Sequence, residues 1–113
     1  MKRKLLIIGV LFFLMIGIGY ALTYKVLTTV VSVGVTATAL PATAMVGREY
    51  IQLQNVGTAT IFVGDANVTA DTAATGGTQI LPYAYWIKDY DHTIVVYGIV
   101  AAGTQNGVVE EGK

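Results

Sequence analysis

Residues 26–39 read VLTTVVSVGVTATA, and this stretch decides the fold class. Val and Thr dominate it, and their branched Cβ atoms favour an extended chain over a helix. Val31, Val33 and Val35 alternate with Ser32, Gly34 and Thr36, the period of a strand with one face buried. The stretch is long for a single strand, so Gly34 is expected to mark a bulge or a bend between two. Leu40-Pro41 closes it.

Working toward the C-terminus, short strand candidates follow, separated by turn residues. Glu49 to Gln54 places Ile51 and Leu53 on one face and Gln52 and Gln54 on the other, and Asn55-Val56-Gly57 turns the chain. Thr58 to Val63 is next, stopped by Gly64-Asp65. Val68 and Thr69 read as a brief strand before a small, polar loop from Ala70 to Gly77. Gln79-Ile80-Leu81 and Ala84 to Lys88 flank Pro82, and Thr93 to Ala102 is the most apolar strand, expected at the centre of a sheet. Asn106-Gly107 is a hairpin signal leading into Val108-Val109-Glu110. No stretch after residue 25 repeats its apolar residues at the helical period. The expectation is an antiparallel β-sandwich or jelly roll of about seven or eight strands, with two sheets packed face to face so that neither leaves an apolar face wet.

Toward the N-terminus the character changes. Leu5 to Leu22 (LLIIGVLFFLMIGIGYAL) carries no charge and follows Lys2, Arg3 and Lys4. Eighteen helical residues would span about 27 Å, close to the hydrocarbon thickness of a bilayer. Residues 1–4 therefore read as a basic flank retained on the cytoplasmic or internal side, 5–22 as a transmembrane signal anchor and 23–113 as the β domain on the opposite side. Tyr20 and Tyr24 suit the membrane–water interface. Gly19-Tyr20-Ala21 also fits a signal-peptidase site, which would make residues 1–21 a cleaved leader. A core helix fits poorly, because the segment is apolar on every side and the remaining chain is small.

Composition excludes several function classes. Charged residues make up 12% of the 113, about half the usual share, while 54% are hydrophobic, which is the opposite of a disordered chain. The absence of cysteine removes disulfide scaffolds and zinc ribbons. Net charge is zero overall and −3 from Thr23 onward, with four positive and seven negative side chains, which argues against a nucleic-acid partner. Ser32 is the sole serine, within a predicted strand, and the glycines form no phosphate-binding loop, so neither catalysis nor a cofactor is expected.

The stretch from Val33 to Glu111 resembles a small β-sandwich domain that recurs in virion structural proteins of bacteriophages and related viruses. The residues that carry the resemblance are Thr36-Ala37-Thr38-Ala39-Leu40-Pro41, then Gly47-Arg48 leading into Ile51-Gln52-Leu53-Gln54-Asn55-Val56-Gly57. Ile61-Phe62-Val63-Gly64, Asn67-Val68-Thr69, Gly77 before Ile80-Leu81, and Tyr97-Gly98-Ile99-Val100 with Glu110 complete it. The resemblance implies a non-enzymatic protein that builds or decorates a particle. The N-terminal apolar segment departs from such domains and suggests a lipid-containing virion, in which the chain links bilayer to shell, or a prophage-derived surface protein. Neighbouring capsid or surface subunits, a homo-oligomer and the lipid bilayer are the partners this reading expects. A secreted filament or surface-layer subunit assembling by strand addition and a cell-surface ligand-binding module are the alternatives.

Individual residues carry narrower expectations. Arg48 at a strand start can pair with Glu110 or Glu111 or hold a loop carbonyl, Gln54 closes the strand that follows, and Asn55 suits a side-chain-closed turn. Gly57 and Gly64 are expected to permit positive φ. Tyr83, Tyr85, Trp86 and Tyr90, with Tyr97, form an aromatic region suited to core packing, to an interface or to a sugar. Asp65, Asn67 and Thr69 imitate the start of a calcium loop, but Ala70 and Gly76 replace the required glycine and glutamate; Asp65 and Asp71 remain as a different calcium pair. His92 within Asp89-Tyr90-Asp91-His92 reads as part of a solvated turn rather than a metal site. Asn67-Val68-Thr69 is a glycosylation sequon.

Overall fold

Eight strands carry the fold in a computed structural model that describes residues 25–72 and 76–113. They are β1 (Val26–Val33), β2 (Thr38–Ala39), β3 (Tyr50–Asn55), β4 (Ile61–Gly64), β5 (Thr78–Ile80), β6 (Tyr85–Lys88), β7 (Tyr97–Ile99) and β8 (Gln105–Gly112). One four-stranded antiparallel sheet has the order β1-β8-β3-β6 and the other β2-β7-β4-β5, a β-sandwich. The pairing follows a rule: β1 with β8, β2 with β7, β3 with β6, β4 with β5. The chain is thus one long hairpin wound over itself, closed by the contacts β3–β8 and β4–β7. The predicted anchor and flank, residues 1–22, lie outside the described residues, and among those described no helix is long and apolar enough to cross a membrane.

The buried face repeats the alternation read along the strands. Ile51 and Leu53 of β3 and Val109 of β8 meet Ile61 and Val63 of β4 and Ile80 of β5, with Val33, Leu40, Val96 and Val100 closing the core. Each such side chain taken from water contributes about 1.5–3 kcal/mol, and contacts between the sheets make that burial depend on the whole wound hairpin. Gln52 and Gln54 point to the outer face, opposite Ile87 and Tyr85 of β6.

Several local expectations are corrected. The 26–39 stretch splits into two strands after Val33, the bend being one of the two outcomes expected at Gly34, but Val35 lies past the end of β1 and is exposed instead of sharing the face of Val31 and Val33. Thr58–Thr60 stay outside β4. Val68 and Thr69 form no strand; Val68 is buried because its side chain packs over Gly64 and Gly77, where a Cβ would stand 3.1 and 2.7 Å from its Cγ2. The apolar run 93–102 contributes only Tyr97–Ile99, which does sit inside its sheet between β2 and β4. Its first residues turn instead, because Arg48 holds the carbonyl of Ile94 at 2.6 Å.

Asn106-Gly107 is not a turn but the interior of β8. Gly107 faces the core opposite Asn55, and a Cβ there would lie 2.7 Å from Leu53 Cδ1. The glycine admits a leucine, a requirement of packing that mimics a hairpin signal in sequence.

Candidate functional site

The central pair β3–β8 carries polar side chains at both ends of its inner face. At one end Arg48 and Glu111, both almost wholly buried, form an ion pair with Nη1 2.7 Å from Oε2. The backbone N–H of Met45 donates to the same oxygen at 2.9 Å. The remaining guanidinium nitrogens donate to the carbonyls of Tyr90, Asp91 and Ile94. Of the two carboxylates expected for Arg48, Glu111 takes the pair, because it faces inward while Glu110 faces outward and accepts from the Tyr50 hydroxyl at 2.8 Å. Glu111 Oε1 is buried without a hydrogen-bond partner among the described residues. The clamp joins the loop before β3, the end of β8 and the β6–β7 connection.

At the other end the groups are neutral. Asn55 Nδ2 donates to the carbonyls of Ala59 (2.7 Å) and Ile80 (3.0 Å), and its Oδ1 accepts from Gly57 N–H. Gln105 Oε1 accepts from Ala59 N–H at 3.1 Å. Gly57 has no positive φ; a Cβ there would fall 0.9 Å from Gln105 Nε2, so a larger residue would have to displace the end of the Gln105 side chain. Nor is positive φ found at Gly64; it occurs at Gly47, Gly77, Gly103 and Tyr83.

The aromatic region divides into two. Trp86 and Tyr90 pack edge to face with ring centroids 6.1 Å apart. They line a cleft of about 400 Å³ between the sandwich's open edges, with Lys88, Asp65, Thr78 and Val96. Tyr83 and Tyr85 instead project into solvent, Tyr83 from the turn before β6 with φ 63°. Tyr97 is half-buried in β7, opposite Gly64. Its lining mixes the charged Asp65 and Lys88 with the apolar Val63, Val95 and Val96.

Asp65 Oδ1 accepts from the Asn67 N–H in a surface turn, which leaves the Asn67 side chain exposed. Thr69 donates to Asp71. Asp91 Oδ1 accepts from the hydroxyl and the N–H of Thr93, and these two bonds hold its carboxyl below the ordinary carboxylate range. His92 Nδ1 accepts from Gly47 N–H at 3.3 Å. Among the described residues no three His, Asp or Glu side chains gather to hold a metal ion.

The Val/Thr segment that the strand-addition alternative draws on forms β1, an edge of the first sheet among the described residues. Val26 and Val30 are 63% and 65% exposed on β1, and Tyr85 and Ile87 are exposed on β6, so the outer face is apolar at its two margins, with Gln52, Gln54 and Glu110 between them. Leu27 faces inward yet is also exposed, since the two residues of β2 are too short to cover the start of β1. The signal for such an edge is in the sequence: 26–33 holds neither charge nor proline. The role of Gln105 left no trace in the sequence pattern.

No family model matches the chain, and no curated protein or solved structure matches it either.

Proposed function

We propose that this chain is a non-enzymatic structural subunit of a virus particle, held in a lipid membrane by Leu5–Leu22 and presenting a jelly-roll head to its neighbours. The observation that carries the reading is the pairing of β1 with β8, β2 with β7, β3 with β6 and β4 with β5. A hairpin wound in this way is the construction of a jelly roll, an architecture used in viral shells and also in lectins and cupins. Fold alone does not select among these. The surface supports the first: exposed Val26, Val30, Tyr85 and Ile87 share the outer face of one sheet, where subunit contacts would cover them. The uncharged segment 5–22 behind Lys2, Arg3 and Lys4 supports the anchor.

The test is fractionation of the producing culture on a density gradient, with intact-mass measurement of the chain in the particle fraction. The reading expects the full-length chain in lipid-containing particles, released by detergent and not by salt. A chain that begins at Leu22 and is found in the medium, apart from particles, overturns it in favour of a secreted subunit.

A further inference from the structure

Among the described residues β1 is an edge strand, and it is built differently from an ordinary sheet edge. Natural edges are blunted by charge, proline, a bulge or short length, and β1 has none of these over eight residues. Its opposite number, β6, has four residues and carries Lys88. Lys25 and Lys113 exchange both backbone hydrogen bonds, at 3.1 and 3.0 Å. The antiparallel alternation then turns Leu27, Thr29, Val31 and Val33 toward β8. The N–H and C=O groups of Val26, Thr28, Val30 and Ser32 point away from the sheet, and no described strand lies beyond them.

We infer that this edge pairs antiparallel with β1 of a second copy, joining two sheets into one of eight strands across a two-fold axis at Thr29. The partner is a second copy because the strand is self-complementary. Hydrogen-bonded pairs must combine edge-facing residues, and centring on Thr29 uses all four of them, Val26 with Ser32 and Thr28 with Val30 of the other chain. Leu27 then meets Val31 on the inner face, and Thr29 meets itself in a non-hydrogen-bonded pair, where side chains approach closely. No like charges are brought together, because none are present from Val26 to Val33. The axis is normal to the sheet, so both Lys25 ends lie in one plane about 27 Å apart, and two anchored chains can enter one bilayer. The inference stands on the geometry of this edge and does not rest on the particle reading.

The full-length chain in detergent micelles tests it, with protein mass measured by light scattering. The wild type is expected at the mass of two chains and Val30→Lys at one, since lysine on each edge sets two charges beside the shared axis. The protein has no cysteine, so Thr29→Cys is a clean second probe: oxidation is expected to link most of it into dimers, and Thr104→Cys, in an exposed loop, into almost none. A wild-type mass of one chain overturns the inference. So does a dimer that survives Val30→Lys while Thr29→Cys fails to link. A single-chain mass with slow amide exchange at Val26, Thr28, Val30 and Ser32 also overturns it, giving the edge to the chain's own N-terminal segment.

Discussion

The two ends of the β3–β8 pair perform the same task with different chemistry. One end ties three connections together with a buried guanidinium and carboxylate, the other with the side-chain amides of Asn55 and Gln105. Charge gives the first end reach, because one guanidinium serves three carbonyls and a carboxylate at once. It also leaves a cost, since Glu111 Oε1 is buried without a partner among the described residues. Asn55 shows no such remainder: both its nitrogen and its oxygen are used. A charged clamp therefore fails abruptly when one half is lost, and an amide clamp fails by the bonds removed.

The largest expected effect breaks the charged end. Arg48→Ala strands the Glu111 carboxylate in the core and should cost about 3–5 kcal/mol, read as a lower urea midpoint from the fluorescence of Trp86, the only tryptophan. Asn55→Ala removes three hydrogen bonds at the other end and leaves the Ile80 carbonyl short of a donor, for a loss of about 2–3 kcal/mol. If the Asn55 variant proved the weaker of the two, the contrast between the ends would be reversed.

A smaller change sharpens the comparison. The pair Arg48→Met with Glu111→Leu removes both charges together, and the double variant should lie within about 1–2 kcal/mol of wild type. A double variant as unstable as Arg48→Ala would assign the end's strength to the three carbonyl contacts rather than to the ion pair.

The smallest effect is that of pH, and it falls at the charged end. Thr93 holds Asp91 below its ordinary value of 3.8, so the stability this adds is complete above that value and is lost as pH falls through the lower folded value. Asp91→Asn should therefore be less stable than wild type at neutral pH, and the gap should close in acid. On the alkaline side, the hydrogen bond from Tyr50 to Glu110, followed by burial, raises the tyrosine above 10.0. That contribution is present below 10.0 and is lost as pH rises through the folded value, which a Tyr50→Phe melt at high pH checks. The amides of Asn55 and Gln105 do not titrate, so the protection of amides near Gly57, taken relative to their intrinsic exchange rate at each pH, should stay level over both ranges.

What was legible in the sequence is local. Ile51 and Leu53 announced a half-buried strand, Arg48 announced a partner among the last acidic residues, and Asn55 announced a turn closed by its own side chain; the structure has all three. Gly107, Val68 and the run 93–102 were misread, because each depends on a neighbour distant in the chain: Leu53 for Gly107, Gly64 and Gly77 for Val68, Arg48 for Ile94. An Asn-Gly pair is the same string in a hairpin and beside a core leucine.

By itself the sequence determined the all-β class of the described region, since β-branched residues and period-two alternation are properties of the strand alone. Tertiary structure alone decided which strand became an edge, which glutamate met Arg48, and which aromatics turned outward. Those outcomes depend on register, because a shift of one residue exchanges the two faces of a strand. Register in turn is selected by burial across both sheets at once, and no short stretch of sequence contains that sum.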